Sequence, residues 1–130
     1  MDQVSDDELK KVIADFLEMG HVENIVAMFR REPLYYDWIG EILDDERFAV
    51  RLGVSVLLEE LKPLQPDRLA LAIPSLSRIL HNESALLRGE AISLLGIIGT
   101  DEAIDLVRGM LSDLSPQVRE MVELVLEEER

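Results

Sequence analysis

The chain of 130 residues contains no cysteine. It therefore has no disulfide framework, no thiolate nucleophile and none of the cysteine-based zinc sets. Aromatic residues make up only 5% of it, so a core must come from Leu, Ile, Val and Ala. Hydrophobic residues reach 48%, which is ample for a folded globule. Histidine occurs twice, at His21 and His81, with no HExxH and no second His at i+4. No metal site is expected from that arrangement. No apolar run approaches the ~20 residues that span a bilayer. The opening "MDQVSDDELKK" is acidic and polar, the reverse of a secretory leader, so a cytoplasmic location is expected.

Basic residues are also scarce. Thirteen Lys and Arg face twenty-seven Asp and Glu, giving a net charge of −14. A body so charged repels phosphate backbones and anionic membrane surfaces. The cations are scattered, adjacent only at Lys10–Lys11 and Arg30–Arg31. Neither nucleic acid nor membrane is an expected partner. The serines lack a GxSxG context, and the glycines form no phosphate-cradling loop. The pair Asp44–Asp45 lacks EF-hand spacing and reads as a turn before a helix. No catalytic residue, cofactor or metal is assigned, and the chain is not read as an enzyme.

What is present is helical periodicity nearly throughout. "SDDELKKVIADFLEMG" opens with Ser5 and Glu8 at capping-box spacing, has Val4 in the staple position and stops at Gly20. "VENIVAMFRRE" follows, ended by Pro33, and "LYYDWIGEIL" forms a third helix. A fourth runs from Arg47 to about Leu61, and "KPLQPD" makes a short connection. Four more are expected over 68–80, 84–98, 101–111 and 115–128. No stretch alternates with period two long enough for a sheet. The class is all-α, with short loops that imply antiparallel neighbours.

These helices repeat in pairs. With Leu43, Leu80 and Leu111 equivalent, the spacings are 37 and then 31 residues, the shorter one lacking the "KPLQPD" insertion. Downstream the columns agree: Val50, Leu87 and Val118; Val54, Ala91 and Val122; Leu57, Leu94 and Val125. Upstream, Tyr36, Ile73 and Ile104 align, as do Ile39, Leu76 and Val107. A helix pair is too narrow to bury its apolar stripe alone, and stacking makes the core continuous.

The pattern resembles HEAT repeats, particularly the bacterial subtype first noted in phycobilisome-lyase proteins. "LLGIIGTDEAIDLVRGMLSDLSPQVRE" carries the likeness: a Leu-Gly pair, a glycine turn, an Ala-Ile start, Leu–polar–Asp, then Val-Arg. Pro74 falls where many such repeats have a proline. The resemblance implies an α-α superhelix, a short right-handed solenoid of about four helix pairs. Repeats are expected over 33–62, 67–99 and 100–130. Residues 1–32 form an N-terminal cap or degenerate repeat, and the acidic "EEER" end a solvated cap. The lyase chemistry does not follow, because the likeness covers a repeat and not an active site.

Two polar columns accompany the apolar ones: Asp45, Asn82 and Asp113, and Arg51, Arg88 and Arg119. An Arg fork can satisfy several turn carbonyls and carboxylates at once, so these residues are read as a structural ladder. The competing reading is an arginine row for an anionic ligand. The glycine that follows the column Arg (Gly89) or ends "DLVRG" (Gly109) is expected to permit close helix packing.

The resemblance places the second helices on a concave face. There Leu52, Val56, Gly89, Ser93, Ile97 and Leu124 are candidate protein-binding residues, with Glu60, Glu120 and Glu128 as an acidic rim. Tyr35, beside Tyr36 and Trp38, is a further candidate, although sealing the junction with the N-terminal helices competes for that cluster. The expected function is a non-catalytic protein-interaction module for a basic or amphipathic segment of another protein, as monomer or weak homodimer. The alternatives are a lyase-related enzyme subunit and a self-associating structural protein.

Overall fold

The computed structural model describes residues 4–129. Within them lie eight α-helices and two 3₁₀ segments, and no strand. The order is α1 (Asp6–Glu18), α2 (Val22–Arg31), a 3₁₀ segment (Pro33–Trp38), α3 (Ile39–Leu43), α4 (Phe48–Leu64), a second 3₁₀ segment (Pro66–Ala72), α5 (Ile73–Ile79), α6 (Ala85–Ile98), α7 (Asp101–Arg108) and α8 (Pro116–Glu128). The all-α class and the stacked helix pairs agree with the periodicity. Arg130, the last residue of "EEER", lies outside the described residues, as do the first three of "MDQVSDDELKK".

Local chemistry sets the helix starts. Ser5, Ser84, Thr100 and Ser115 each accept a hydrogen bond from the backbone N–H three residues on, at 3.1, 3.3, 3.2 and 3.4 Å. Each such cap is worth about 1 kcal/mol. Gly20 and Gly99, at φ 83° and 69°, end α1 and α6 in the left-handed region that disfavours any other residue. Val4, expected as a staple, is 60% exposed.

The second helices α4, α6 and α8 stand side by side, and α1 and α2 both rest on α4. The repeat columns point inward. Val50, Val54, Leu57, Ile92, Leu95, Val118 and Val122 are among a single continuous set of buried side chains.

Two predicted helices are each split. "LYYDWIGEIL" is 3₁₀ up to Trp38 before it turns α, and the helix expected over 68–80 is 3₁₀ up to Ala72. Apolar residues at i and i+3 suit both helix types, so the pattern could not separate them. Pro74 has no N–H to offer Ala70, and the tighter turn there avoids the unmet carbonyl. In the opposite direction, α4 runs on through Pro63 to Leu64. The proline sits in the last turn, where the i−4 residue, Glu59, is exposed.

The Gly40 N–H lies just past the 3₁₀-to-α switch and is bonded across the stack. Ser75 is the partner: its Oγ accepts from Gly40 N at 2.8 Å and donates to Ala72 O at 3.2 Å. Ser75 is itself 2% exposed. Ser75→Ala is expected to lower unfolding free energy by about 1–3 kcal/mol, because a buried N–H loses its acceptor. Urea unfolding followed by circular dichroism reads this directly. A loss below about 0.5 kcal/mol would mean that another acceptor serves Gly40.

Candidate functional site

Two surfaces of the stack concentrate the predicted site residues: the turn edge, where the polar columns lie, and the face made by α4, α6 and α8. At the turn edge each column arginine addresses its own turn. Arg51 Nη1 donates to Asp45 O and Glu46 O, both at 2.8 Å. Arg88 Nη1 donates to Asn82 O and Glu83 O at 2.9 and 3.1 Å. Arg119 Nη1 donates to Asp113 O.

The rest of each fork looks sideways. Arg88 Nε and Nη2 donate to the two oxygens of Asp113, in the next helix pair, at 2.9 and 3.0 Å. Their side chains are only 16% and 8% exposed. Arg51 does not reach Asn82, whose Oδ1 instead accepts from Ser84 N at 2.8 Å. It turns to Glu90 on α6, with Nε 3.1 Å from Oε1 and 3.0 Å from Oε2. A neutral amide offers no charge to a guanidinium, and a carboxylate two residues past Arg88 takes its place.

Asp45 is gripped by Arg47, through Nε at 3.0 Å and Nη2 at 2.9 Å. Arg47 Nη1 also reaches back to Asp15 at 2.8 Å and Glu18 at 3.0 Å on α1. It thereby joins the N-terminal helices to the polar row. Arg47 lies outside the repeated columns, which is why the repeat does not disclose it. The hydrogen bonds from Arg47 hold the Asp45 carboxyl below its ordinary range, and those from Arg88 do the same to Asp113.

On the face of the second helices, the structure groups the candidates into two clefts and a groove. Leu52 and Ser93 meet Phe48, Arg51 and Glu90 around a small cavity of about 140 Å³ between α4 and α6. Ser93, Ile97 and Leu124 line a broader groove with Lys62, Met121 and Glu128. Gly89 lies in a third space, of about 430 Å³, between α6 and α8 with Leu86, Gln117 and Met121. Val56 is exposed and lines none of these three. Tyr35 lines none of them either. It is half-buried, with its ring 5.0 Å from Trp38 and 5.9 Å from Phe29 of α2.

Three residues on this face escaped the sequence reading: Phe48, Leu86 and Met121. The first two lie just before the column arginine, and the third two residues after it. The family spacing counts outward positions one, five and nine residues after that arginine, and so passes over all three. Phe48 is 65% and Leu86 57% exposed.

The expectation that Gly89 and Gly109 permit close helix packing is overturned. A Cβ at Gly89 would meet nothing within 4 Å, and one at Gly109 would meet only its own preceding turn. Close approach occurs instead at Gly40 against Ser75, Gly53 against Leu17 and Gly96 against Val125. Among the described residues no three His, Asp or Glu side chains are grouped to hold a metal ion.

A family model described as HEAT repeats matches residues 36–127. No curated protein and no solved structure matches the chain.

Proposed function

Because the chain belongs to the HEAT-repeat family, we propose that it is a non-catalytic protein-interaction module, an adaptor, scaffold or regulatory subunit, that binds a basic amphipathic segment on the face of α4, α6 and α8. One observation carries this reading. Phe48, Leu52, Leu86 and Leu124, all on these helices, are each about half exposed or more. Soluble chains rarely leave grouped apolar side chains uncovered without a use for them. Glu59, Glu60, Glu120, Glu123 and Glu128 are exposed on the same helices, while Arg51 and Arg88 are engaged with turn carbonyls and carboxylates. The surplus charge of this face is negative, which favours a cationic partner. The net charge of −14 opposes self-association, in keeping with a monomer or weak homodimer.

The finer kinship with the phycobilisome-lyase-type repeat is proposed on "LLGIIGTDEAIDLVRGMLSDLSPQVRE". There Gly99 adopts the left-handed turn and Thr100 caps α7, as a glycine turn before an Ala-Ile start requires.

Fluorescence anisotropy with a labelled Leu/Lys amphipathic peptide of about 18 residues, long enough to hold a helix, tests the reading. A Leu/Glu peptide of the same apolar pattern is the comparison. The Leu/Lys peptide is expected to bind and the Leu/Glu peptide not. Leu52→Glu, with unchanged helicity, is expected to weaken binding about tenfold. Equal binding of both peptides, or indifference to Leu52→Glu, would count against the proposal.

A further inference from the structure

The cleft between α6 and α8 is lined by Ala85, Leu86, Gly89, Glu90, Gln117 and Met121, and has a volume of about 430 Å³. We infer that it is a socket for one large apolar side chain of the partner helix, flanked by a partner lysine or arginine. This deepens the proposed function and rests on it.

The first ground is Gly89. A glycine in the middle of a helix weakens it, and proteins accept that where two backbones meet. Gly40, Gly53 and Gly96 are such meeting points, but Gly89 is not, since a Cβ there would find open space. In the column it shares, α4 carries Leu52, whose side chain stands half exposed. At Gly89 that side chain is missing and a cleft takes its place. The fold does not need the vacancy, whereas an inserted side chain does.

The second ground is charge. Glu90 forms a wall of both this cleft and the cavity on the α4 side. Its two oxygens lie 3.1 and 3.0 Å from Arg51 Nε, so this carboxylate is already paired from the α4 side. Glu83, just before α6, and Glu120, next to Met121 on α8, are exposed. Arg88, the nearest cation along α6, is turned to Asp113 and to the carbonyls of its own turn. The exposed carboxylates, Glu83 and Glu120, favour a positive charge beside the apolar anchor. A second copy of this chain, at −14, is a poor source of it. A basic helix of another protein fits, in the manner of helix-in-groove recognition.

The test uses the whole chain with methyl-labelled methionines and the Leu/Lys peptide as probe. On titration the Met121 methyl resonance is expected to shift, and those of Met19 and Met28, near the N-terminal helices, to stay. Gly89→Leu refills the column with its Cβ in open space, so its melting temperature should equal or exceed the wild type's. Its affinity is expected to fall by about tenfold or more. Gly89→Ala, which fills less of the space, should lie between the two.

Binding that leaves Met121 unmoved, or equal binding by Gly89→Leu, overturns the socket while leaving the reading of the wider face intact. A wild type that binds no Leu/Lys peptide overturns both. A Met121 shift that depends on protein concentration alone assigns the cleft to a second copy and overturns the basic helix.

Discussion

Gly40→Ala is expected to destabilise the protein by about 3 kcal/mol or more, and to lower its melting temperature by roughly 10 °C. The added Cβ would lie 2.7 Å from the Ser75 carbonyl carbon and 2.9 Å from the Ser75 Cβ, and closer still to the Ser75 carbonyl oxygen. None of these atoms is the end of a flexible chain. Two helix backbones must therefore part, and in parting they lengthen the bond from Gly40 N–H to Ser75 Oγ. Overpacking of this kind costs about 1–3 kcal/mol, and the stranded N–H adds a similar amount. Helix propensity works the other way, since Ala is better than Gly by up to about 1 kcal/mol. Thermal melts with Gly89→Ala as the reference isolate the steric part, because that site has open space. If both variants melt like the wild type, the packing of α3 on α5 is looser than described.

Asp113→Ala should cost about 2 kcal/mol at neutral pH. The carboxylate receives two hydrogen bonds from Arg88 and one from Ser115 N, at 2.9 Å, and its side chain is only 8% exposed. Removing it strands the Arg88 fork and the first donor of the α8 cap together. The substitution should also change the acid response. The Asp113 carboxyl is held below its ordinary value, chiefly by Arg88 and then by the Ser115 N–H. A depressed carboxyl adds stability that is fully present above the unfolded-state value, near 3.9, and is lost as pH falls through the folded-state value. The wild type should therefore lose more stability than Asp113→Ala as pH falls from about 5 to about 2. Asp45, depressed by Arg47, keeps some acid sensitivity in the variant. Parallel pH profiles for the two proteins would refute the assignment of this pair as a contributor.

The apolar columns were legible because burial is periodic. Val54, Ala91 and Val122 recur at one register and are all fully buried. The split of the first helices into 3₁₀ and α was not legible, because Tyr36, Ile39 and Ile42 fit a period of 3.0 as readily as one of 3.6. Asn82 and Arg47 expose a second limit. A column fixes which residues are equivalent by position, whereas an ion pair depends on which neighbour carries the charge. Glu90 stands in for Asn82, and Arg47 ties Asp45 to Asp15 of α1, through the geometry of long side chains that spacing does not encode. The glycines show the same limit. Gly40 and Gly89 look alike in a string of letters, yet one carries a backbone contact and the other an open cleft.

The contacts that join one helix pair to the next share a modest span along the chain. Gly40 and Ser75 are 35 residues apart, Arg51 and Glu90 39, Lys62 and the Ile97 carbonyl 35, and Arg88 and Asp113 25. No link in this set has to wait for the two chain ends to meet. During synthesis at about 5–20 residues per second, each pair finds its partner within roughly 1–8 s of emerging. The stack can therefore be laid down in the order in which it is translated, with one unpaired apolar edge facing the ribosome exit at any moment.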